Sequence, residues 1–114
     1  MSWIYKILAR AEWAAAKAAG RFEGSGVDLR DGFIHFSTAA QAAETARLHF
    51  AGKTDLVVLQ VDAGRLGEDL KWEPSRGGSL FPHLFRPLEA AEVEAEHEAP
   101  LGDDGTPVIG ALPA

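Results

Sequence analysis

The sequence contains no cysteine among its 114 residues. This absence excludes a disulfide scaffold, a thiol nucleophile and a zinc site built on thiolates. The sequence also lacks an apolar run long enough to span a bilayer, and it lacks the basic-then-apolar leader of a secreted protein. We therefore expect a soluble cytoplasmic protein that has no membrane partner.

Positive charge is scarce in the second half of the chain. Residues 1–53 hold seven Lys/Arg and five Asp/Glu, a balance of +2, whereas residues 54–114 hold four and twelve, a balance of −8. The net charge is −6. Because contacts to phosphates of a duplex need Lys and Arg, duplex nucleic acid is an unfavourable partner, although a local basic pocket remains open.

The length and composition indicate a single globular domain. Hydrophobic residues make up 46% of the chain and charged residues 25%, and no repeat or linker divides it. From Pro100 onward Gly, Asp and Pro dominate. We expect a domain over residues 1–99 and a poorly structured C-terminal tail over 100–114.

The hydrophobic pattern predicts an α+β domain in which two helices, both in the N-terminal half, pack on a mostly antiparallel β-sheet. Residues 21–32 are expected to form a loop. Pro82 favours an edge strand or an irregular crossing because it has no N–H to donate. The predicted strands cover residues 3–8, 33–37, 55–61, 70–73, 80–85 and 91–98, and the predicted helices cover 10–19 and 38–50.

The stretch 31–38 is the first candidate for a ligand site. In a strand, Phe33, His35 and Ser37 would share one face. Ser37 and Thr38 stand at the start of the second helix, where free N–H groups suit phosphates. A capping box of Thr38 with Gln41 would explain the hydroxyls structurally. His35 could instead be a core histidine bonded to a backbone carbonyl.

Other polar residues also allow two interpretations. Lys6 would be a cation in a cleft or a solvated lysine at a strand edge. His83 would belong to the site or anchor an irregular strand. Glu73 would act in the site or pair with Lys71 or Arg76 on the surface.

Several motifs together resemble the bacterial domain-of-unknown-function family 952 over about residues 3–97. That family is similar to the ADP-ribosyltransferase-like fold, in which two small sheets surround a cleft. The resemblance therefore implies a split β-sheet. The motifs are Ile4-Tyr5-Lys6-Ile7, Trp13 with its alanines, Asp31-Gly32-Phe33-Ile34-His35-Phe36-Ser37-Thr38 with Gln41, Trp72-Glu73-Pro74, Phe81-Pro82-His83-Leu84 and Pro87-Leu88.

The resemblance implies that a nicotinamide dinucleotide, NAD, lies in the cleft. Lys6 would take the role of the basic residue on the first strand, and His35, Ser37 and Thr38 would form the hydroxyl-bearing segment. Glu73 or His83 would be the late polar residue that orients the reaction. The chain departs from the family pattern at Lys6, which is often histidine, and at Phe85-Arg86-Pro87-Leu88, which is often Tyr-Gly-Pro-Leu.

Transfer of ADP-ribose would break a glycosidic bond through a cation-like transition state, which a carboxylate such as Glu73 would stabilise. Arg76 with the backbone of Gly77 and Gly78, or Lys6, would bind the pyrophosphate. His35 and His83 would bind ribose hydroxyls or act as acid and base.

Two further hypotheses remain. The chain would be a nucleotide-binding module without turnover, or a metal-dependent hydrolase with His35, His83 and Glu73 as ligands. No His-x-His or His-x-x-x-His spacing preorganises a metal pair, so we expect no metal. The expected partner is a small nucleotide ligand or an acceptor that the sequence does not specify. All three hypotheses require the side chains of His35 and His83 to line the same cavity.

Overall fold

The structure is a computed structural model that describes residues 2–114, apart from the side chain of Arg76. Four short 3-10 turns occupy Ala63–Arg65, Gly67–Asp69, Arg76–Gly78 and Ala90–Glu92. The helices and strands are β1 (Trp3–Ala9), α1 (Arg10–Ala19), β2 (Arg21–Phe22), α2 (Gly26–Asp31), β3 (Ile34–His35), α3 (Ala39–His49), β4 (Leu56–Asp62), β5 (Leu70–Pro74), β6 (Leu80–Leu84), β7 (Leu88–Glu89) and β8 (Val93–Glu98).

The strands form three antiparallel sheets, in the orders β1-β4-β8, β3-β6-β5 and β2-β7. An isolated antiparallel bridge joins the two larger sheets, where Tyr5 N donates to Ser37 O at 2.7 Å and Ser37 N donates to Tyr5 O at 2.8 Å. The predicted α+β class and the antiparallel pairing are therefore confirmed.

Two hydrophobic clusters lie on opposite faces of β1, as the alternation of its side chains predicts. Ile4 and Leu8 belong to the cluster that includes Trp13 of α1. Tyr5 and Ile7 belong to the cluster that includes Ala46 of α3. Strand β4 is buried from Leu56 to Val61, because it lies between β1 and β8 with a cluster on each face.

The structure has three α-helices in residues 2–114, so the prediction of two is wrong. The predicted loop 21–32 contains β2 and α2. Helix α2 begins after Ser25, whose backbone N–H donates to the Asp28 carboxylate at 2.9 Å. It ends at Gly32, whose left-handed conformation (φ 86°) favours glycine. Six residues are too few for a clear helical period, which is why the helix was missed.

Strand β6 is the central strand of its sheet, so the predicted edge position of Pro82 is wrong. Pro82 is tolerated there because it contributes its carbonyl, which accepts from Phe36 N at 3.0 Å. Strand β3 is also shorter than predicted, since Ser37 leaves it to bridge to β1. Strand β7, which pairs with β2, lies outside the predicted strands.

Residues 100–114 contain a turn, in which Gly105 N donates to Gly102 O at 3.0 Å, and an isolated bridge between Leu101 and Pro107. Ile109 and Leu112 pack against the cluster that contains Tyr5. The Tyr5 hydroxyl donates to the Pro113 carbonyl. Separately, none of the helices in residues 2–114 is long and apolar enough to cross a membrane.

Candidate functional site

His35 and His83 lie directly opposite each other on β3 and β6. Directly opposed residues of antiparallel strands place their side chains on the same face of the sheet. The two imidazole rings are 5.4 Å apart between centroids and are inclined by 65°. The sheet register therefore brings together two side chains that are far apart in the sequence.

Both histidines line a cavity of about 630 Å³, a size typical of small-ligand sites. Its wall combines apolar side chains with polar and charged ones, among them the acidic residues Glu12 and Asp31. Lys6 and Ser37 also line it, so four of the predicted site residues share one cavity. The apolar part of the wall includes Ile7, Leu8, Val27, Phe36, Phe50, Leu56 and Phe81.

Asp28 is the residue that connects the buried polar groups of the site, and it was not among the predicted site residues. Its carboxylate accepts from Lys6 Nζ at 2.8 and 3.0 Å. It also contacts His35 Nδ1 at 2.6 Å and accepts from the His35 backbone N at 3.1 Å. The available signal was the Ser25-x-x-Asp28 capping pattern, which predicts a helix start but not these partners.

Burial and charge pairing act in opposite directions on Asp28. Burial raises the pKa of the Asp28 carboxyl, but the hydrogen bond from His35 and the charge of Lys6 outweigh it. The resulting pKa lies well below the ordinary value, so Asp28 is ionised. Burial lowers the pKa of Lys6, and the neighbouring Asp28 carboxylate opposes that shift.

Lys6 is 5% exposed, so the interpretation as a solvated strand-edge lysine is wrong. Its ammonium group forms a buried ion pair with Asp28, at 2.8 Å. An ammonium group that is already paired with a carboxylate exerts only a weak electrostatic attraction on a ligand. Lys6 therefore lines the cavity as part of its framework.

His35 contacts a second carboxylate at its other ring nitrogen, since Nε2 lies 3.0 Å from Asp31 Oδ2. A hydrogen bond with Arg30 is the main reason that the pKa of Asp31 lies below its ordinary value. Ionised carboxylates only accept hydrogen bonds, so both contacts are satisfied when both ring nitrogens carry hydrogen. Both ring nitrogens of His35 are therefore engaged by carboxylates.

His83 has different surroundings. Its Nδ1 lies 2.8 Å from Glu73 Oε1, and its ring stacks on Phe33 with 4.2 Å between centroids. The His83 side chain is only 6% exposed, whereas that of Glu73 is 42% exposed. Among the described residues none forms a hydrogen bond with His83 Nε2. The described partner of Glu73 is thus His83. The expected alternatives were surface pairs with Lys71 or with Arg76, and the Arg76 side chain lies outside the described part of the structure.

The two hydroxyls that follow His35 have structural partners. Ser37 Oγ lies 2.8 Å from Thr45 Oγ1. Thr38 caps α3: its hydroxyl accepts from Gln41 N at 3.2 Å, while Gln41 Oε1 accepts from Thr38 N at 3.0 Å. The capping explanation of Thr38 is therefore confirmed, and Thr38 is not among the described residues that line the cavity.

The predicted pyrophosphate segment lies in the 3-10 turn Arg76–Gly78, next to Ser75, which lines the cavity. Gly77 and Gly78 have positive φ angles of 66° and 83°. They are not among the described lining residues. The side chain of Arg76 lies outside the described part of the structure.

Within residues 2–114 no group of three or more His, Asp or Glu side chains is arranged to hold a metal ion. Instead, His83 contacts the Glu73 carboxylate, and His35 contacts the Asp28 carboxylate. The proposed ligand set of His35, His83 and Glu73 therefore gains no support from the geometry.

A family model described as "Protein of unknown function (DUF952)" matches residues 7–96. The chain belongs to this family. The match includes both histidines and their three carboxylate partners, Asp28, Asp31 and Glu73, whereas Lys6, which pairs with Asp28, lies just before the matched region. No curated protein matches the chain.

Three solved structures of protein CC0527 from Caulobacter crescentus are similar to this DUF952 chain. The X-ray structure has 62% sequence identity, a TM-score of 0.92 and coverage of 94% of each chain. A double-mutant X-ray structure has 60% identity, a TM-score of 0.91 and the same coverage. The solution NMR structure has 63% identity, a TM-score of 0.84 and coverage of 94% of this chain and 92% of that chain.

Proposed function

We propose that this DUF952 chain binds NAD or a related nucleotide in the cavity lined by His35 and His83. The observation that carries the proposal is the convergence of these two imidazoles on the wall of one cavity of about 630 Å³. The split arrangement of the two larger sheets, which the bridge between Tyr5 and Ser37 joins, supports an ADP-ribosyltransferase-like fold as part of this proposal.

The lining of the cavity suits a ligand that has both a planar apolar part and an anionic part. Phe36, Phe50 and Phe81 supply aromatic surface against which a base can pack. Exposed Arg30 and Lys53 lie on the wall and can turn toward a phosphate. Arg30 is paired with the adjacent Asp31 on the surface, an interaction weak enough for a ligand to replace.

Isothermal titration with NAD, ADP-ribose and adenosine tests this proposal. We expect NAD and ADP-ribose to bind and uncharged adenosine to bind more weakly. Lys53→Gln removes a cation from the cavity wall and should weaken NAD binding roughly tenfold, which corresponds to about 1.4 kcal/mol. Lys71→Gln is the matched control, because Lys71 is exposed and is not among the described lining residues.

The proposal fails if neither NAD nor ADP-ribose produces binding heat at millimolar ligand. It also fails if Lys53→Gln and Lys71→Gln change the affinity for NAD equally. Raising the salt concentration should weaken binding of both dinucleotides, since the contribution of exposed cations is screened.

ADP-ribose transfer is the second candidate function, and the contact between Glu73 and His83 favours it over simple binding. A binding pocket needs no carboxylate that orients a histidine, whereas a proton-transfer site does. A nicotinamide-release assay separates the two functions. Release that follows NAD binding supports transfer, and binding without release supports a non-catalytic module.

A further inference from the structure

We infer that His83, oriented by Glu73, is a general base that activates a hydroxyl acceptor at this cavity. The inference rests on the proposed binding of NAD and adds the class of acceptor: water or an alcohol. Its basis is the contrast between two neighbouring imidazoles that have different hydrogen-bond partners.

The orientation of His83 leaves one ring nitrogen available for proton transfer. Nδ1 lies 2.8 Å from Glu73 Oε1, so Nδ1 carries the hydrogen and donates it to the carboxylate. The other nitrogen, Nε2, then has a lone pair, and within the described part of the chain no residue bonds to it. A carboxylate that holds Nδ1–H keeps the ring in this tautomer and stabilises the imidazolium that forms after proton uptake.

The ring of His83 is held rigidly against its neighbours. It stacks on Phe33, with 4.2 Å between centroids and an angle of 23° between the planes. The side chain is 6% exposed and lines the cavity. A base that is preorganised in this way can meet an acceptor oxygen without first losing rotational freedom.

His35 cannot take the same role, although its ring centroid is only 5.4 Å away. Both of its nitrogens face carboxylates, Asp28 at 2.6 Å and Asp31 at 3.0 Å. Both ring nitrogens are therefore already engaged, and neither is open to an acceptor hydroxyl.

The proposed step conserves atoms and electrons, and it needs no reactant besides NAD and the acceptor. The bond between the nicotinamide nitrogen and ribose C1′ breaks, and its electron pair stays on nicotinamide, which leaves as a neutral molecule. The acceptor oxygen forms a bond to C1′, and its proton moves to His83 Nε2. The products are nicotinamide, an O-linked ADP-ribose and a proton that His83 later releases to water.

The acceptor class follows from the need for a base. A water or alcohol oxygen is a weak nucleophile until its proton is removed, so a positioned imidazole accelerates its attack. Glu73 would be a positioning residue here, because it acts through His83 and its carboxylate is already committed to that ring.

The test incubates the full chain with NAD in the presence and absence of methanol. We expect nicotinamide release in water and a methyl ADP-ribose product, detected by mass spectrometry, when methanol is present. His83→Gln should lower release at least about 100-fold when it is measured at saturating NAD, so that any weaker binding of NAD does not account for the loss. His97→Gln is the matched control, since His97 contacts Gln60 and is not among the described lining residues.

Glu73→Gln provides a second variant in a half-exposed position, in case His83→Gln does not fold. It should lower release and also change the ¹⁵N chemical shifts of His83, which report the ring tautomer. A carboxylate that only supports the strand would leave that tautomer signal unchanged.

The possible outcomes are distinguishable. If NAD binds but neither nicotinamide nor a methyl product is released, the base assignment is overturned and the binding proposal stands. Release that His83→Gln does not reduce also overturns it. If NAD does not bind, the proposed function and this inference fail together.

Discussion

Asp28 is the residue on which the hydrogen bonds of the site converge. Replacement by asparagine keeps its size and removes its charge, which leaves Lys6 buried without a counter-ion. We expect Asp28→Asn to lower the free energy of unfolding by about 3–5 kcal/mol, the range for a broken buried pair. Urea denaturation followed by tryptophan fluorescence measures this change. Asp103→Asn, at an exposed position, should have an effect within about 0.5 kcal/mol.

The same carboxyl makes stability depend on pH. The pKa of Asp28 in the unfolded chain is the ordinary value of about 3.9. In the folded protein the pKa of Asp28 is lower. Its contribution is therefore fully present above that ordinary value and is lost as the pH falls toward the lower folded pKa. The urea midpoint should decline from about pH 5 to pH 3, and less steeply for Asp28→Asn. An equal slope in both proteins would contradict this assignment.

Some of the acid sensitivity should persist in the variant. Burial raises the pKa of Glu92, but the Arg86 hydrogen bond outweighs it and the net shift is downward. Hydrogen bonding with Arg30 is the main cause of the lowered pKa of Asp31. We thus expect Asp28→Asn to reduce the slope, not to abolish it.

At the scale of the element, the start of α2 has no room for a side chain at Gly24. Gly24 has φ 123°, and a Cβ added there would lie 2.9 Å from Asp28 Cβ. Gly20 also has a positive φ, at 90°, but an added Cβ would meet nothing within 4 Å. Gly24→Ala and Gly20→Ala should share the strain of a left-handed backbone, about 1 kcal/mol.

The difference between these two variants measures the steric effect on Asp28. We expect Gly24→Ala to be the less stable of the two in urea and to shift the NMR signals of the His35 ring. Gly20→Ala should leave those signals unchanged. Equal unfolding free energies would mean that α2 moves aside without disturbing the carboxylate.

Helix α3 has a reciprocal cap whose removal should be measurable. Thr38→Ala removes the hydroxyl that accepts from Gln41 N, at 3.2 Å. The expected loss is about 1 kcal/mol of unfolding free energy, and Thr38→Ser should retain most of it. Because Thr38 has a structural role here, NAD affinity should be the same for both variants. A loss of affinity specific to the alanine variant would restore Thr38 to the ligand site.

At the scale of the whole molecule, the C-terminal segment covers one hydrophobic cluster. Deletion of residues 101–114 would remove the partly buried Ile109 and Leu112 and the bond from the Tyr5 hydroxyl to Pro113. Since a fully buried aliphatic side chain contributes about 1.5–3 kcal/mol, we expect a loss of about 2–4 kcal/mol. Tyr5→Phe isolates the hydrogen bond and should cost about 1 kcal/mol. Unchanged stability after the deletion would instead agree with the predicted poorly structured tail.

The sequence by itself determined the local features of the chain. Alanine-rich composition and the Thr38 cap predict α1 and α3, and side-chain alternation predicts which faces of β1 are buried. These patterns suffice because helix propensity, capping and strand alternation act between residues that are close along the chain. The family resemblance rests on motifs of the same local kind.

Only the tertiary structure decided the contents of the site. The partners of Lys6 and of His83 lie 22 and 10 positions away along the chain, and the register of β3 with β6 sets the distance between the two imidazoles. No local pattern specifies which carboxylate neutralises a buried cation, because burial and charge pairing depend on how distant segments pack. For that reason Lys6 was predicted as an available cation, whereas the fold pairs it with Asp28. The fold also leaves Nε2 of His83 without a hydrogen-bond partner among the described residues.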